Sequence, residues 1–156
     1  MRIKIFALLT SFLCTTAAFA GSFKDNGNGI VTDQTTNLMW QQCPYGLSGA
    51  GCATATSSQI TWDNSIVYCE GLLLGGYKDW RLPNVKELKS IAEITTYGPA
   101  IDTTYFPNTA SENYWSSTSC ARNTTFAWYV NFNEGYAWNT SKTNILTYHV
   151  RCVRGQ

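Results

Sequence analysis

The side chains that could carry out acid–base or nucleophilic chemistry are few in this sequence. His149 is the single histidine, so no second imidazole exists to relay a proton or complete a metal site. Asp79 and Asp102 occur in turn-like segments, where a bond from carboxylate to backbone explains them as well as acid–base catalysis does. Ser116 and Ser117 lack the G-x-S-x-G turn of hydrolases. We therefore predict that the protein is not an enzyme and needs no cofactor.

Calcium binding is a second chemistry to consider, in the loop of residues 25–33. Asp25, Asn28 and Asp33 offer oxygen ligands there. The spacing departs from the EF-hand pattern, because Gly27 stands at the third position and Thr36 at the twelfth. The same run of Asp, Asn and Gly is typical of a hairpin turn. We predict a turn and no metal site, with calcium as the alternative.

The cysteines indicate disulfide chemistry of a structural kind. Of the six, Cys14 falls in a predicted export signal, and the odd number that remains leaves at least one thiol unpaired. Cys43 and Cys52 flank a loop rich in Pro, Gly and Ser, which a disulfide would close for roughly 3 kcal/mol of unfolded-chain entropy. Spacing alone does not pair the other three, which are Cys69, Cys120 and Cys152.

Two segments of the C-terminal half combine aromatic rings with amide and cationic groups. Rings stack on the apolar faces of sugars, and amides reach sugar hydroxyls. We therefore predict recognition of a carbohydrate or a protein in these segments; the alternative is that Trp138 packs inward and the polar groups are only solvated. The predicted ligand-binding residues are Arg122, Asn123, Tyr136, Trp138, Asn139 and Lys142.

Two amphipathic helices are predicted ahead of these segments. The first begins after a capping residue at Thr61 and ends at Gly75-Gly76. The second begins at Asn84, where Glu87 three residues later completes a capping box, and it runs to about Ile94.

Strand signals surround the helices. A hairpin from Phe23 to Thr32 and a strand at 37–40 come first, and after Pro99 the β-prone segments are 114–116, 126–132 and 145–153. Strict alternation in 126–132 predicts one buried face and one partly exposed face. Helices followed by a meander of strands indicate an α+β fold.

Composition and the N-terminal residues point to a secreted protein of one domain. The chain has 156 residues, of which 44% are apolar and 13% charged, which excludes a disordered chain. A basic start, a short apolar run to Leu13 and Ala18-Phe19-Ala20 predict a signal peptide over 1–20, cleaved after Ala20, and a domain over 21–156. We expect a secreted or periplasmic location, without membrane insertion, because a span needs about 20 apolar residues.

The net charge argues against nucleic-acid binding. The chain has 11 Lys and Arg against 10 Asp and Glu. Without Arg2 and Lys4 of the signal, the basic count falls to 9 and the net charge to −1. A nucleic-acid binder needs a basic field that displaces counterions.

Several segments in order carry a resemblance to a known family. They are DNGNGIVTD (25–33), LMW (38–40), TWD (61–63), GGYKDWRLPNVKEL (75–88), IDTTYFP (101–107), YWSST (114–118), AWYVNF (127–132) and VRCVR (150–154). Together they resemble the C-terminal domain family of the Legionella collagen-like adhesin, a bacterial domain of unknown function. Residues 62–69, Arg81-Leu82-Pro83 and 151–154 are also similar to the formylglycine-generating enzyme superfamily, which has a C-type-lectin-like fold.

This resemblance implies an α+β, C-type-lectin-like fold with two helices packed on a twisted antiparallel sheet and long loops. It implies a Cys69–Cys152 disulfide that ties the first helix to the last strand, with Cys120 as the odd thiol. It also implies non-catalytic binding of glycans or sulfated glycosaminoglycans in surface adhesion, and assembly as a homotrimer. The alternative function is a protein–protein interaction module of the periplasm or cell surface.

Overall fold

The computed structural model describes residues 22–143 and 145–155. The predicted signal peptide at 1–20 lies outside the described residues. Within them the chain forms two α-helices, a short 3-10 helix at Ala50–Cys52 and seven strands. The α-helices and strands are β1 (Phe23–Asp25), β2 (Ile30–Asp33), β3 (Met39–Gln41), α1 (Trp62–Glu70), α2 (Val85–Ser90), β4 (Asn113–Cys120), β5 (Asn123–Asn131), β6 (Ala137–Ser141) and β7 (Val153–Arg154).

The first sheet has four antiparallel strands in the order β1-β2-β3-β7. The predicted hairpin and the strand after it are therefore confirmed. Gly27 and Gly29 have φ of 75° and 79° in the hairpin turn, a region that glycine enters without steric cost. The sheet joins the beginning of the described chain to its end.

Both helices begin where their capping residues predict, but both end earlier. The Thr61 side chain accepts from the Asn64 N–H, and Asn84 and Glu87 form a complete capping box. The first helix ends at Glu70 rather than at Gly75-Gly76, because residues 71–77 turn back into a bridge between Leu74 and Tyr77. The second ends at Ser90 rather than near Ile94, since the Glu93 N–H bonds the Ala100 carbonyl.

The second sheet has three antiparallel strands in the order β4-β5-β6. One of its faces, here called the Tyr114 face, carries Tyr114, Val130 and Phe132 into a core cluster that contains Leu88 of α2. The other, the Trp115 face, carries Trp115, Ala127 and Tyr129 into a cluster with α1. Burial along 126–132 does not follow a strict alternation: Ala127, Val130 and Phe132 are buried, whereas Tyr129 and Asn131 on the Trp115 face are half-buried.

The segment 145–153 is not the continuous strand that its composition predicts. It forms single bridges instead, from Tyr148 to Ile60 and from His149 to Tyr114, before the short β7 begins. His149 is buried at this crossing of segments.

The architecture is α+β, with two helices and two antiparallel sheets where the resemblance implied one sheet. Both predicted disulfides are present, Cys43–Cys52 and Cys69–Cys152. Cys120 is the free cysteine of the described residues. Across residues 22–143 and 145–155, none of the helices has the length and apolar character that crossing a membrane requires.

Candidate functional site

The predicted ligand-binding residues lie at two ends of the three-stranded sheet. Arg122 and Asn123 belong to the turn from β4 into β5, and Lys142 follows β6 at the same end, where its N–H bonds the Thr125 carbonyl. Tyr136 and Trp138 lie at the opposite end of β6. Six positions of extended chain separate Tyr136 from Lys142, which is about 20 Å. A single small ligand cannot contact both ends.

The cationic end is largely occupied by contacts within the protein. Lys142 donates to the Ser119 hydroxyl at 2.7 Å and lies 3.7 Å from the centre of the Trp62 ring. The Asn123 side-chain oxygen accepts from the Thr125 N–H and hydroxyl. Arg122 is exposed. An anion at this end would therefore meet Arg122 first and would compete with Trp62 for Lys142.

Asn139 is separated from Trp138 by the alternation of the strand. Its partner in register is Trp128, whereas Trp138 pairs with Tyr129. Because successive side chains of a strand point to opposite faces, Asn139 lies on the Tyr114 face and Trp138 on the Trp115 face. The structure therefore places these two predicted ligand-binding residues on opposite faces of the sheet.

An aromatic row crosses the Trp115 face. Trp115, Tyr129 and Trp138 are cross-strand neighbours. Tyr148 covers the first two, with ring centroids 4.4 Å from Trp115 and 5.1 Å from Tyr129. Trp138, on the edge strand, is 63% exposed, which rules out the inward-packed alternative. This edge presents an indole face held by a rigid sheet.

An amide row runs beside the aromatic one. Asn113 and Asn131 are paired in register, and the Asn131 side chain donates to that of Asn113 at 2.8 Å. The Asn131 N–H bonds the carbonyl of Tyr136, which is 44% exposed. Tyr129 links the rows: burial raises the pKa of its hydroxyl, and the neighbouring Tyr148 and the bonded Tyr136 raise it further. Its phenol therefore stays protonated.

A cavity of about 320 Å³ opens where the amide row ends. Glu112 stands at its rim with a side chain 57% exposed. The Gln59 side chain donates to Glu112 Oε2 and accepts from the Thr147 hydroxyl at 3.3 Å. We call this cavity the Glu112 cup; its lining residues are Gln59, Ser111, Glu112, Asn113, Asn131, Thr147 and Tyr148.

The cup and the amide row share Asn113 and Asn131, and together with the exposed Trp138 on the same sheet face they make up one candidate surface. Its residues come from four separate parts of the sequence, so no local pattern marks it. A family model fits the chain across this whole surface: the Lcl C-terminal domain matches residues 29–154. The chain belongs to the Lcl C-terminal domain family. No curated protein matches it.

His149 contacts the cup residue Glu112 in this Lcl C-terminal domain. Its Nδ1 lies 3.0 Å from the Ser57 hydroxyl, and its Nε2 lies 3.2 Å from Glu112 Oε2. A serine, a histidine and a carboxylate in line resemble a hydrolytic triad. Ser57 lines neither the cup nor the larger cavity described below, and the contact at Nε2 places the Glu112 carboxylate beside the buried imidazole.

The burial of His149 predicts a pH dependence of stability. Desolvation lowers its pKa, although the bond and charge of Glu112 act in the opposite direction. The unfolded chain, with a histidine pKa of about 6.5, takes up a proton that the folded chain resists. The free energy of unfolding should therefore be highest above pH 6.5 and should decrease as the pH falls toward 5.

Urea titrations between pH 5 and 8 measure this effect, and His149→Gln is the matched variant. Since His149 is the single histidine, the variant should show a flatter profile in that range. An equally steep profile in His149→Gln would contradict the assignment.

A larger cavity of about 750 Å³ lies on the four-stranded sheet, between the hairpin turn and the Cys43–Cys52 loop. Asp25 lines it, but both of its carboxylate oxygens already accept bonds, from the Gly27 N–H and from Gln42. Asp33 is buried and bonds the N–H groups of Thr35 and Thr36. Among the described residues, no three His, Cys, Asp or Glu side chains are arranged to hold a metal ion.

Proposed function

We propose that this Lcl C-terminal domain is a secreted, non-catalytic module that binds glycans, including glycosaminoglycans, at the bacterial surface. The observation that carries the proposal is the exposed Trp138 on the same sheet face as the amides of Asn113 and Asn131. A ring supplies stacking area on sugar C–H faces, and oriented amides supply hydrogen bonds to hydroxyls. The rigid sheet holds both groups before a ligand arrives, which lowers the entropy cost of binding.

The fold proposal extends to a C-type-lectin-like arrangement. It is supported by two features that such folds share with this chain: the first and last strands lie in one sheet, and Cys69 of α1 is bonded to Cys152 next to β7. Two disulfides also agree with an oxidising compartment outside the cytoplasm. The likeness to the formylglycine-generating enzymes is proposed for the fold alone.

Replacing the exposed indole tests the proposed function. We expect Trp138→Ala to weaken glycan binding by at least about tenfold, because the stacking platform is lost. Leu73→Ala is the matched control, since Leu73 is an exposed apolar residue beyond α1. Binding is measured on an array of neutral and sulfated glycans across a salt series. An array without any binding to the wild-type protein would reject the proposal.

A protein ligand is the second candidate, and it has its own supporting observation. Ile94 and Tyr97 are 73% and 81% exposed, and their loop is tied to the β5–β6 turn by the bond from the Gly98 N–H to the Asn133 carbonyl. A silent glycan array together with loss of a surface-protein partner in Tyr97→Ala would favour this function. Sedimentation equilibrium tests the homotrimer that the resemblance implies.

A further inference from the structure

We infer that the Glu112 cup takes a non-anionic sugar ring, and a hexosamine with a free ammonium group best of all. The inference rests on the proposed function and specifies its ligand class. It locates recognition at the aromatic and amide end of the Trp115 face, about 20 Å from the cationic end that a sulfated chain would need.

The charges around the cup disfavour an anionic ligand. Glu112 is the single charged residue of its lining. Arg122 and Lys142 lie at the other end of the sheet, two Debye lengths away at physiological ionic strength, where the screening length is about 8 Å. His149, the nearest titratable base, is buried, and desolvation lowers its pKa. A sulfate in the cup would thus face a carboxylate without a compensating cation.

The hydrogen bonds around Glu112 hold its carboxylate in place. The Thr147 hydroxyl donates to Gln59, and Gln59 donates to Glu112 Oε2, which also lies 3.2 Å from His149 Nε2. These contacts fix the carboxylate and leave Oε1 to accept from a ligand. An ammonium or hydroxyl group is the complementary donor, and a charged donor makes the stronger bond.

The neighbouring aromatic rings extend the binding surface beyond the cup. Tyr148 lines the cup, and Tyr136 and Trp138 extend the surface along β6. Asn113 uses its side-chain oxygen to accept from Asn131, so its NH₂ group remains to donate to a ring oxygen or hydroxyl. One sugar ring in the cup would therefore continue into a second ring stacked on the exposed aromatic edge.

Three β-1,4-linked trisaccharides of matched length test the inference: one of glucosamine, one of glucose and one of sulfated glucosamine. Calorimetric titration at pH 7 should rank them in that order of affinity for the wild-type protein. Glu112→Gln keeps the shape of the side chain and one acceptor oxygen but removes the charge. We expect it to lose the preference for glucosamine over glucose by about tenfold.

Asn113→Asp is the reciprocal variant, because it adds a second carboxylate to the cup and keeps the acceptor for Asn131. Because it also removes the Asn113 amide donor, it should weaken the binding of glucose and of sulfated glucosamine more than the binding of glucosamine, and this change in ranking tests the inference even if Glu112→Gln proves unstable. Tightest binding of the sulfated trisaccharide, or an unchanged ranking in both variants, would overturn it. If the sulfated trisaccharide bound most tightly and Trp138→Ala abolished that binding, the proposed glycan-binding function would survive and the inference about the cup would fail. If no trisaccharide and no array glycan bound the wild-type protein, both the proposed function and the inference would fail.

Discussion

A variant that combines Cys69→Ala with Cys152→Ala is expected to lose about 4.5 kcal/mol of its free energy of unfolding. The disulfide spans 83 positions of sequence, and it restricts the unfolded chain more than a short loop would. It also fastens α1 to the segment that enters β7. Because domains of this size are stable by about 5–15 kcal/mol, urea unfolding should show a sharply lowered midpoint.

The second disulfide is the matched control. Cys43 and Cys52 are nine positions apart, so removal of that bond should cost about 2.6 kcal/mol by the same entropy relation. Both variants are best made with Cys120→Ser, since Cys120 is a free thiol that could exchange with the remaining bond. Equal losses in the two variants would show that loop entropy does not control the stabilisation.

Local signals predicted the beginnings of the helices but not their ends. The side chains of Thr61 and Asn84 accept hydrogen bonds from backbone N–H groups of their own first turn. Both partners of each bond are therefore close together in the sequence, and a local pattern can predict them. The ends depend on residues that lie beyond the helices: the Glu93 N–H bonds Ala100, and Leu74 bridges to Tyr77. The segment 145–153 is similar, because its β-prone residues meet Ile60 and Tyr114 only at single positions.

The candidate site shows the same limit on a larger scale. Tyr136 and Trp138 were predicted as ligand-binding residues, and the structure places them together on one exposed edge. Strand periodicity, applied to β6 alone, would already have separated Asn139 from Trp138. The Glu112 cup could not be predicted, because its residues approach one another only through the pairing of β4 with β5 and the bridge from Ile60 to Tyr148.

The motifs that carry the family resemblance mostly build the fold. In the segment 75–88, Trp80 is buried, and Arg81 forms a two-pronged bond with Glu87 at 2.8 and 2.7 Å. In 150–154, Cys152 closes a disulfide and Arg151 is fully buried. The resemblance therefore predicted the domain more securely than it predicted the ligand.

Arg151 leads to the second large expected effect. Its guanidinium donates to the carbonyls of Gln41 and Gln42 and, at 2.7 Å, to the Thr109 hydroxyl. Burial lowers the pKa of Arg151 to about 10, and in the described part of the chain it forms no ion pair with a carboxylate. The cation therefore depends on neutral oxygens, and it joins the end of β3 to the loop before β4.

We expect Arg151→Met to lower the free energy of unfolding by about 3 kcal/mol, because three oxygen atoms lose their donor in a buried site. Arg151→Lys should be nearly as costly, since one ammonium cannot bridge Thr109 and the two carbonyls as the planar fork does. Arg122→Met, at an exposed position, is the control and should leave the urea midpoint unchanged. An Arg151→Met variant as stable as the wild type would contradict this expectation. It would mean that the desolvation free energy of the buried guanidinium offsets the stabilisation from its hydrogen bonds, as is found for many buried ion pairs.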